Sequence, residues 1–201
     1  MTIKIYVEGG GNNKSQKSEC RRGFSEFIRK IGLSGRMPSV VACGSRDAAF
    51  EMFCTALKTA DHHDLILLLV DSEAPVDQPG RCEFLSLHDA WDIPAGVSDS
   101  QVHLMVQCME AWFLADRDTL RRYYGHHVNT GALPRNQAIE EIDKSQLMTG
   151  LRNATRNTQK GAYSKGGHSF DLLAQIDPDL VSNASPHARA WIMTLKERAS
   201  S

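Results

Sequence analysis

Three carboxylates stand where strands would end. Glu8 follows Ile3-Lys4-Ile5-Tyr6-Val7, and Asp71 and Glu73 follow Leu65-Ile66-Leu67-Leu68-Leu69-Val70. In an open parallel α/β sheet, ligands bind beyond the carboxyl ends of the strands. Acids from two separate strands therefore converge on one edge. Asp71 and Glu73 are two apart, so in extended backbone they point to the same side. Carboxylates packed this closely repel, and one of them would hold a proton. A hard divalent cation prefers oxygen ligands and removes that repulsion. Mg²⁺, or Mn²⁺ in its place, held by Glu8, Asp71 and Glu73 would keep water and phosphate oxygens as its other ligands. It could orient a water and stabilise charge at phosphorus. Each acid alone also reads as an ordinary turn residue; the weight lies in the three together.

Other residues could serve the same chemistry. Gly9-Gly10-Gly11 permits close backbone approach, and its N–H groups could cradle a phosphate. Ser45-Arg46 opens a predicted helix at the same edge, and a helix start with an Arg is a phosphate clamp. An Arg–Asp surface pair is the competing reading of Arg46. Lys160, Lys165 and His168 lie in a glycine-containing stretch without acids, where they could contact phosphate or stabilise a leaving oxygen. A plain basic loop is the alternative. His62-His63 and His126-His127 do not make a zinc site, because adjacent histidines point apart and no partner is suitably spaced.

The elements that must position these groups follow from periodicity. Residues 3–7 read as a first strand. Phe24, Phe27, Ile28 and Ile31 recur at helical spacing, predicting a helix over 17–31 ended by Gly32 and Gly35. Ser39 to Cys43 is a second strand, and Ser45 caps a helix over 46–60. Leu65 to Val70 is apolar at every position, as in a strand buried on both faces. Residues 74–100 read as a long Pro-, Gly- and Asp-rich excursion. His103 to Val106 is a fourth strand and Met109 to Leu120 a helix, in which Trp112 and Phe113 read as core. Asn136 is the expected cap of a helix through about Arg156, residues 157–169 an exposed loop, and Ser185-Pro186 the start of a last helix. The fold class is thus α/β: a Rossmann-like core with a central parallel sheet of about four strands flanked by helices. The expected division is a core over 1–120 and a helical C-terminal extension over 121–201 packed on it.

Bulk composition fits one globular unit: 201 residues, 41% hydrophobic and 23% charged. A net charge of −1 gives no general pull on nucleic acid. Its distribution is uneven, however. Residues 14–36 and 144–170 are basic, and residues 47–99 are acidic. Five scattered cysteines without a Cys-x-x-Cys suit reduced thiols. No leader pattern opens the chain and no apolar run is long enough to cross a bilayer, so a cytoplasmic location without membrane contact is expected.

Ile5-Tyr6-Val7-Glu8-Gly9-Gly10 with Leu68-Leu69-Val70-Asp71-Ser72-Glu73 resembles the Toprim domain of topoisomerases, primases and small nucleases. Its signature is a Glu after the first strand and Asp-x-Asp after the third. More narrowly, Met109-Glu110-Ala111-Trp112-Phe113-Leu114-Ala115-Asp116 looks like a stretch of a Toprim-like family of unknown function, numbered 4276. The resemblance implies magnesium at Asp71 and Glu73, with Glu8 as ligand or general acid/base, and makes Glu110 a candidate fourth acid. A helix-start acid is the other reading of Glu110. Glu73 stands where Asp is usual, Pro75 where some members carry a third acid, and Asn12 near where relatives often have Asp. The resemblance further implies a metal-dependent nuclease acting on DNA or RNA, the toxic effector of an antiviral pair with an ATPase partner in a hetero-oligomer. The chain is too small for a topoisomerase and lacks the accessory parts of a primase. The rival expectations are a non-catalytic nucleotide- or metal-binding regulatory subunit and a small-molecule phosphohydrolase.

Overall fold

A computed structural model describes residues 2–33 and 37–199. Four strands form one sheet: β1 Ile3–Glu8, β2 Ser39–Gly44, β3 Leu65–Asp71 and β4 Val102–Met105. The order is β2-β1-β3-β4 and every pairing is parallel. The all-apolar run therefore sits at the centre, between β1 and β4, as burial on both faces requires.

Eight α-helices flank the sheet among the described residues: α1 Lys14–Lys30, α2 Arg46–Leu57, α3 Arg81–His88, α4 Arg117–Tyr124, α5 Lys144–Thr155, α6 Ser169–Gln175, α7 Pro178–Ala184 and α8 Pro186–Ala199. The two faces are covered by different parts of the chain. Tyr6, Ile66, Leu68, Val70 and Leu104 pack with Phe53 of α2 and Phe84 and Leu85 of α3. Ile5, Val7, Leu67 and Leu69 face Phe24 and Phe27 of α1, and the same cluster runs on through Trp112, Leu147, Leu151, Phe170 and Trp191. The C-terminal helices thus share one continuous core with the sheet. Phe27 lies at its centre, stacked on Trp112 and Trp191 at centroid distances of 5.4 and 6.0 Å. α1 approaches α6 so closely that a Cβ on Gly23 would meet the Phe170 carbonyl oxygen at 2.8 Å.

Several elements depart from the sequence-based expectation. α1 starts three residues earlier than predicted, because Asn13 caps it by accepting from the Ser15 N–H at 2.8 Å. Gly32 turns the chain after it at φ 75°; Gly35, the other predicted stop, lies outside the described residues. α2 ends at Leu57, not Ala60. The excursion over 74–100 contains α3, whose first N–H groups are held by Asp99. The helix predicted over 109–120 is broken. Met109–Leu114 is a 3₁₀ helix, and Asp116 then caps α4 by accepting from the Thr119 N–H at 3.0 Å. Asn136 starts no helix; it closes a short turn onto Ala138, and α5 begins at Lys144 with Asp143 as its cap. Ser185 does cap the last helix, accepting from the Ala188 N–H at 3.0 Å.

All five cysteines are free thiols. Among the described residues no helix is long and apolar enough to cross a membrane.

Phe27→Ala would leave an aromatic-sized void beneath two tryptophans. The expected cost is about 3–5 kcal/mol, read as a lowered urea midpoint at unchanged m-value. A loss below about 1 kcal/mol would mean that the stack is not a centre of the core.

Candidate metal centre

β1 and β3 run side by side with Val7 opposite Leu69. Glu8, the next residue of β1, and Asp71, two residues further along β3, close these strands at the same edge of the sheet. The Glu8 carboxylate reaches across and accepts the Asp71 backbone N–H at 3.0 Å. Beyond Asp71 the chain stays alongside β4: Ser72 N–H donates to the Met105 carbonyl at 3.0 Å and Glu73 N–H to the Gln107 carbonyl at 2.9 Å. Glu73 has φ 62°. It is not in extended backbone, so strand alternation does not aim it. A left-handed residue does so instead, a conformation unusual for Glu. The result is nevertheless convergence: ligand oxygens of Glu8, Asp71 and Glu73 all lie within 4.8 Å of one another.

Asp71 is almost wholly buried. Its Oδ1 accepts the Met109 N–H at 2.8 Å and its Oδ2 meets the Lys165 ammonium at 3.3 Å. Behind it lies Glu110, with no exposed surface. Tyr163 donates its hydroxyl to Glu110 Oε1 at 2.8 Å and also pairs with Ser169 Oγ at 2.7 Å. Glu110 Oε2 has no hydrogen-bond donor; the nearest cation is Lys165 Nζ, 3.9 Å away. Glu73 is half-exposed and paired with Lys144.

This packing disfavours ionisation of both carboxyls. Burial first, and then the Asp71 charge, pushes the Glu8 carboxyl up to about 8. Burial also pushes Asp71 up, to about 6, while Lys165 and the Met109 N–H hold it down. Burial thus raises both carboxyls, and the negative charge of Asp71 adds to the rise at Glu8. An oxygen-only set of three converging acids, with a buried carboxylate oxygen behind it left without a donor, fits a hard divalent cation.

A cavity of about 290 Å³ opens in front of these acids, lined by Glu8, Asp71, Lys165, the glycines 9–11, Gln16 and Phe170 among others. Gly9 and Gly10 have positive φ, and a Cβ on Gly10 would meet the Lys17 Cα at 2.6 Å. Only glycine lets β1 turn against the start of α1 here.

The remaining candidates are placed elsewhere. Arg46 is not free for phosphate: it forms a two-pronged pair with Asp89 at 2.6 and 2.8 Å and stacks over Trp91. Its Nε stays 3.9 Å from Glu8, so its charge still bears on the site. Ser45 caps α2 through the Ala48 N–H. Lys160 lies 4.5 Å from the centre of the Tyr123 ring, outside the cavity lining. His168 pairs with the Tyr124 hydroxyl at 2.9 Å, also outside it. Lys165 is the one member of that loop trio that reaches the acids. Sequence reasoning missed Lys144, Tyr163 and Gln107. A lone aromatic amid Gly, Ser and Lys was a usable signal for Tyr163. Nothing local marks Lys144 or Gln107, whose roles depend on where α5 docks.

A family model described as "Domain of unknown function (DUF4276)" matches residues 7–196, so the chain belongs to that family. No curated protein and no solved structure matches it.

The Glu8 shift has a stability consequence. A carboxyl whose pKa rises on folding stabilises the fold fully below its ordinary value of 4.5 and loses that contribution as pH climbs through about 8. In EDTA, the melting temperature of the wild type should therefore fall relative to Glu8→Gln across that window, in circular-dichroism melts. Parallel curves would mean that Glu8 ionises normally in the fold.

Proposed function

We propose that this DUF4276 member is a Toprim-type, divalent-metal-dependent phosphodiesterase, a nuclease acting on DNA or RNA. One observation carries the reading: Glu8, Asp71 and Glu73 bring ligand oxygens within 4.8 Å of one another at the carboxyl edge of a parallel sheet, with the buried Glu110 behind them. Such an edge is where α/β sheets bind ligands.

In this reading Asp71 and Glu73 hold Mg²⁺ or Mn²⁺, and Glu8 completes the set. The cation, when bound, supplies Lewis-acid polarisation of the phosphoryl oxygens. The chain's own groups do the rest. Where Glu8 does not ligate the cation, it serves from the cavity wall as general acid or base, holding or taking up a proton at its carboxyl. Glu110, fixed by Tyr163, sets its carboxyl behind Asp71 as an outer partner of the cation site. Lys165 offers an ammonium to phosphate on the cavity side. Glycines 9–11 leave the backbone bare, so a phosphate could approach closely.

By its Toprim resemblance the chain is a toxic effector in antiviral defence, held by an ATPase partner and acting in the cytoplasm. A second reading has specific support: with Arg46 committed to Asp89 and a cavity of only about 290 Å³, the site suits a small nucleotide held without turnover.

The deciding experiment incubates wild type, Glu8→Gln and Asp71→Asn with plasmid, single-stranded DNA and tRNA, in Mg²⁺, Mn²⁺ or EDTA. Cleavage is expected with metal and none with EDTA. Glu8→Gln should cut about 10²–10⁴-fold more slowly, and Asp71→Asn not at all. Metal binding with intact substrate throughout, including after addition of any ATPase found to be encoded beside it, would favour the binding module.

A further inference from the structure

Each acid at the end of β3 carries an ammonium from the C-terminal half of the chain. Lys144, the first residue of α5, pairs with Glu73. Lys165 lies 3.3 Å from Asp71 and 3.9 Å from Glu110. These lysines stand among the carboxylates that a divalent cation would use. We propose that Lys165 is an exchangeable counter-ion of the acid cluster: it neutralises Asp71 and Glu110 when no divalent cation is present, and it turns into the cavity, toward the phosphate of a substrate, when one binds. This rests on the metal-centre reading above and extends it to what occupies the site beforehand.

The argument is one of charge and reach. Asp71 and Glu110 are buried at 2% and 0% exposure. A second carboxylate beside a first needs a proton or a positive partner, and Lys165 stands within 3.9 Å of both. Glu110 Oε2 has no hydrogen-bond donor, so Lys165 answers its charge from a distance without satisfying it. A site that holds its own cation at imperfect geometry is poised to accept a better one. An ammonium and a divalent cation on the same carboxylate repel, so both cannot keep the Asp71 oxygens.

The surroundings fit an exchange by the side chain alone. The backbone is fastened on both sides of Lys165. Tyr163 N–H donates to Thr155 Oγ1 at 2.6 Å, and Gly166 N–H donates to Ser169 Oγ at 3.2 Å. The Lys165 side chain is half-exposed at 52% and lines the cavity, so its four-carbon stem can swing without disturbing the loop. Lys144 stands toward Glu73 as Lys165 does toward Asp71, but on a half-exposed acid, where the competition is weaker.

The test uses the metal alone. Mg²⁺ and Mn²⁺ binding to wild type, Lys165→Met and Lys144→Met are measured by titration calorimetry. Lys165→Met is expected to bind at least about fivefold more tightly than wild type, and Lys144→Met to show a smaller gain. In parallel, acylation of wild-type lysines is mapped by mass spectrometry as Mg²⁺ is added. Lys165 should become several-fold more reactive, with a midpoint at the Mg²⁺ dissociation constant, while Lys58 at the far end of α2 stays constant. The acylation result decides alone if Lys165→Met does not fold. Equal or weaker metal binding by a folded Lys165→Met, or a Lys165 reactivity that is flat or falls, overturns the exchange and leaves the metal centre standing. Absence of binding in wild type and both variants at millimolar cation removes the metal centre, and the exchange with it.

Discussion

The burial of negative charge at the end of β3 is the constraint around which the other elements are arranged. A strand that is apolar on both faces leads straight into Asp71, which is only 2% exposed. Such a carboxylate survives only with donors and a positive partner. It finds a donor in the Met109 N–H, which exists at that place because the chain turns into a 3₁₀ helix directly after β4. It finds charge in Lys165, about ninety residues further on. Glu8 is held there by the Asp71 N–H, so β1 and β3 are tied by a side chain where their ladder stops.

This makes the C-terminal half part of the site and not an appendage to it. Lys144 comes from the first turn of α5, and Lys165, Tyr163 and Ser169 from the loop and helix start that follow. Gln107 links the two regions. Its carbonyl accepts from Glu73 N–H, and its side-chain oxygen accepts from Lys144 N–H at 3.1 Å. The backbones of both partners in the Glu73–Lys144 pair are thereby set by one buried residue. The hydrophobic cluster that spans β1, Trp112, Leu151 and Trp191 holds this geometry rigid.

What could be read from sequence followed the strength of local signals. The four strands, the parallel sheet and the three strand-end acids were legible because β-branched and apolar runs stop abruptly at Glu8 and Asp71. The caps at Ser45 and Ser185 were legible for the same reason: one residue type at one boundary. Met109 to Leu120 was misread because its apolar pattern continues through Asp116, whose side chain takes the Thr119 N–H and restarts the helix. Asn136 was misread as a cap because Asx turns and helix caps share a residue preference; Asp143, seven residues on, is the cap used. The approach of Lys165 to Asp71, and the loss of Arg46 to Asp89, depend on how distant segments dock. No local pattern encodes that.

The way Arg46 is used sharpens the electrostatic picture. Its guanidinium is wedged between Asp89 and Trp91, which anchors the excursion over 74–100 onto α2. It acts on the site only through its field, 3.9 Å from Glu8. On the other side, Lys165 does touch an acid. Glu8 and Asp71 are thus flanked by one cation that is structurally fixed and one that is half-exposed on a flexible stem. A fixed guanidinium sets a constant background that lowers the cost of ionising Glu8. A flexible ammonium can leave. A site able to accept further positive charge needs the second kind at the most buried of its three converging acids, and Asp71 is where this chain puts it.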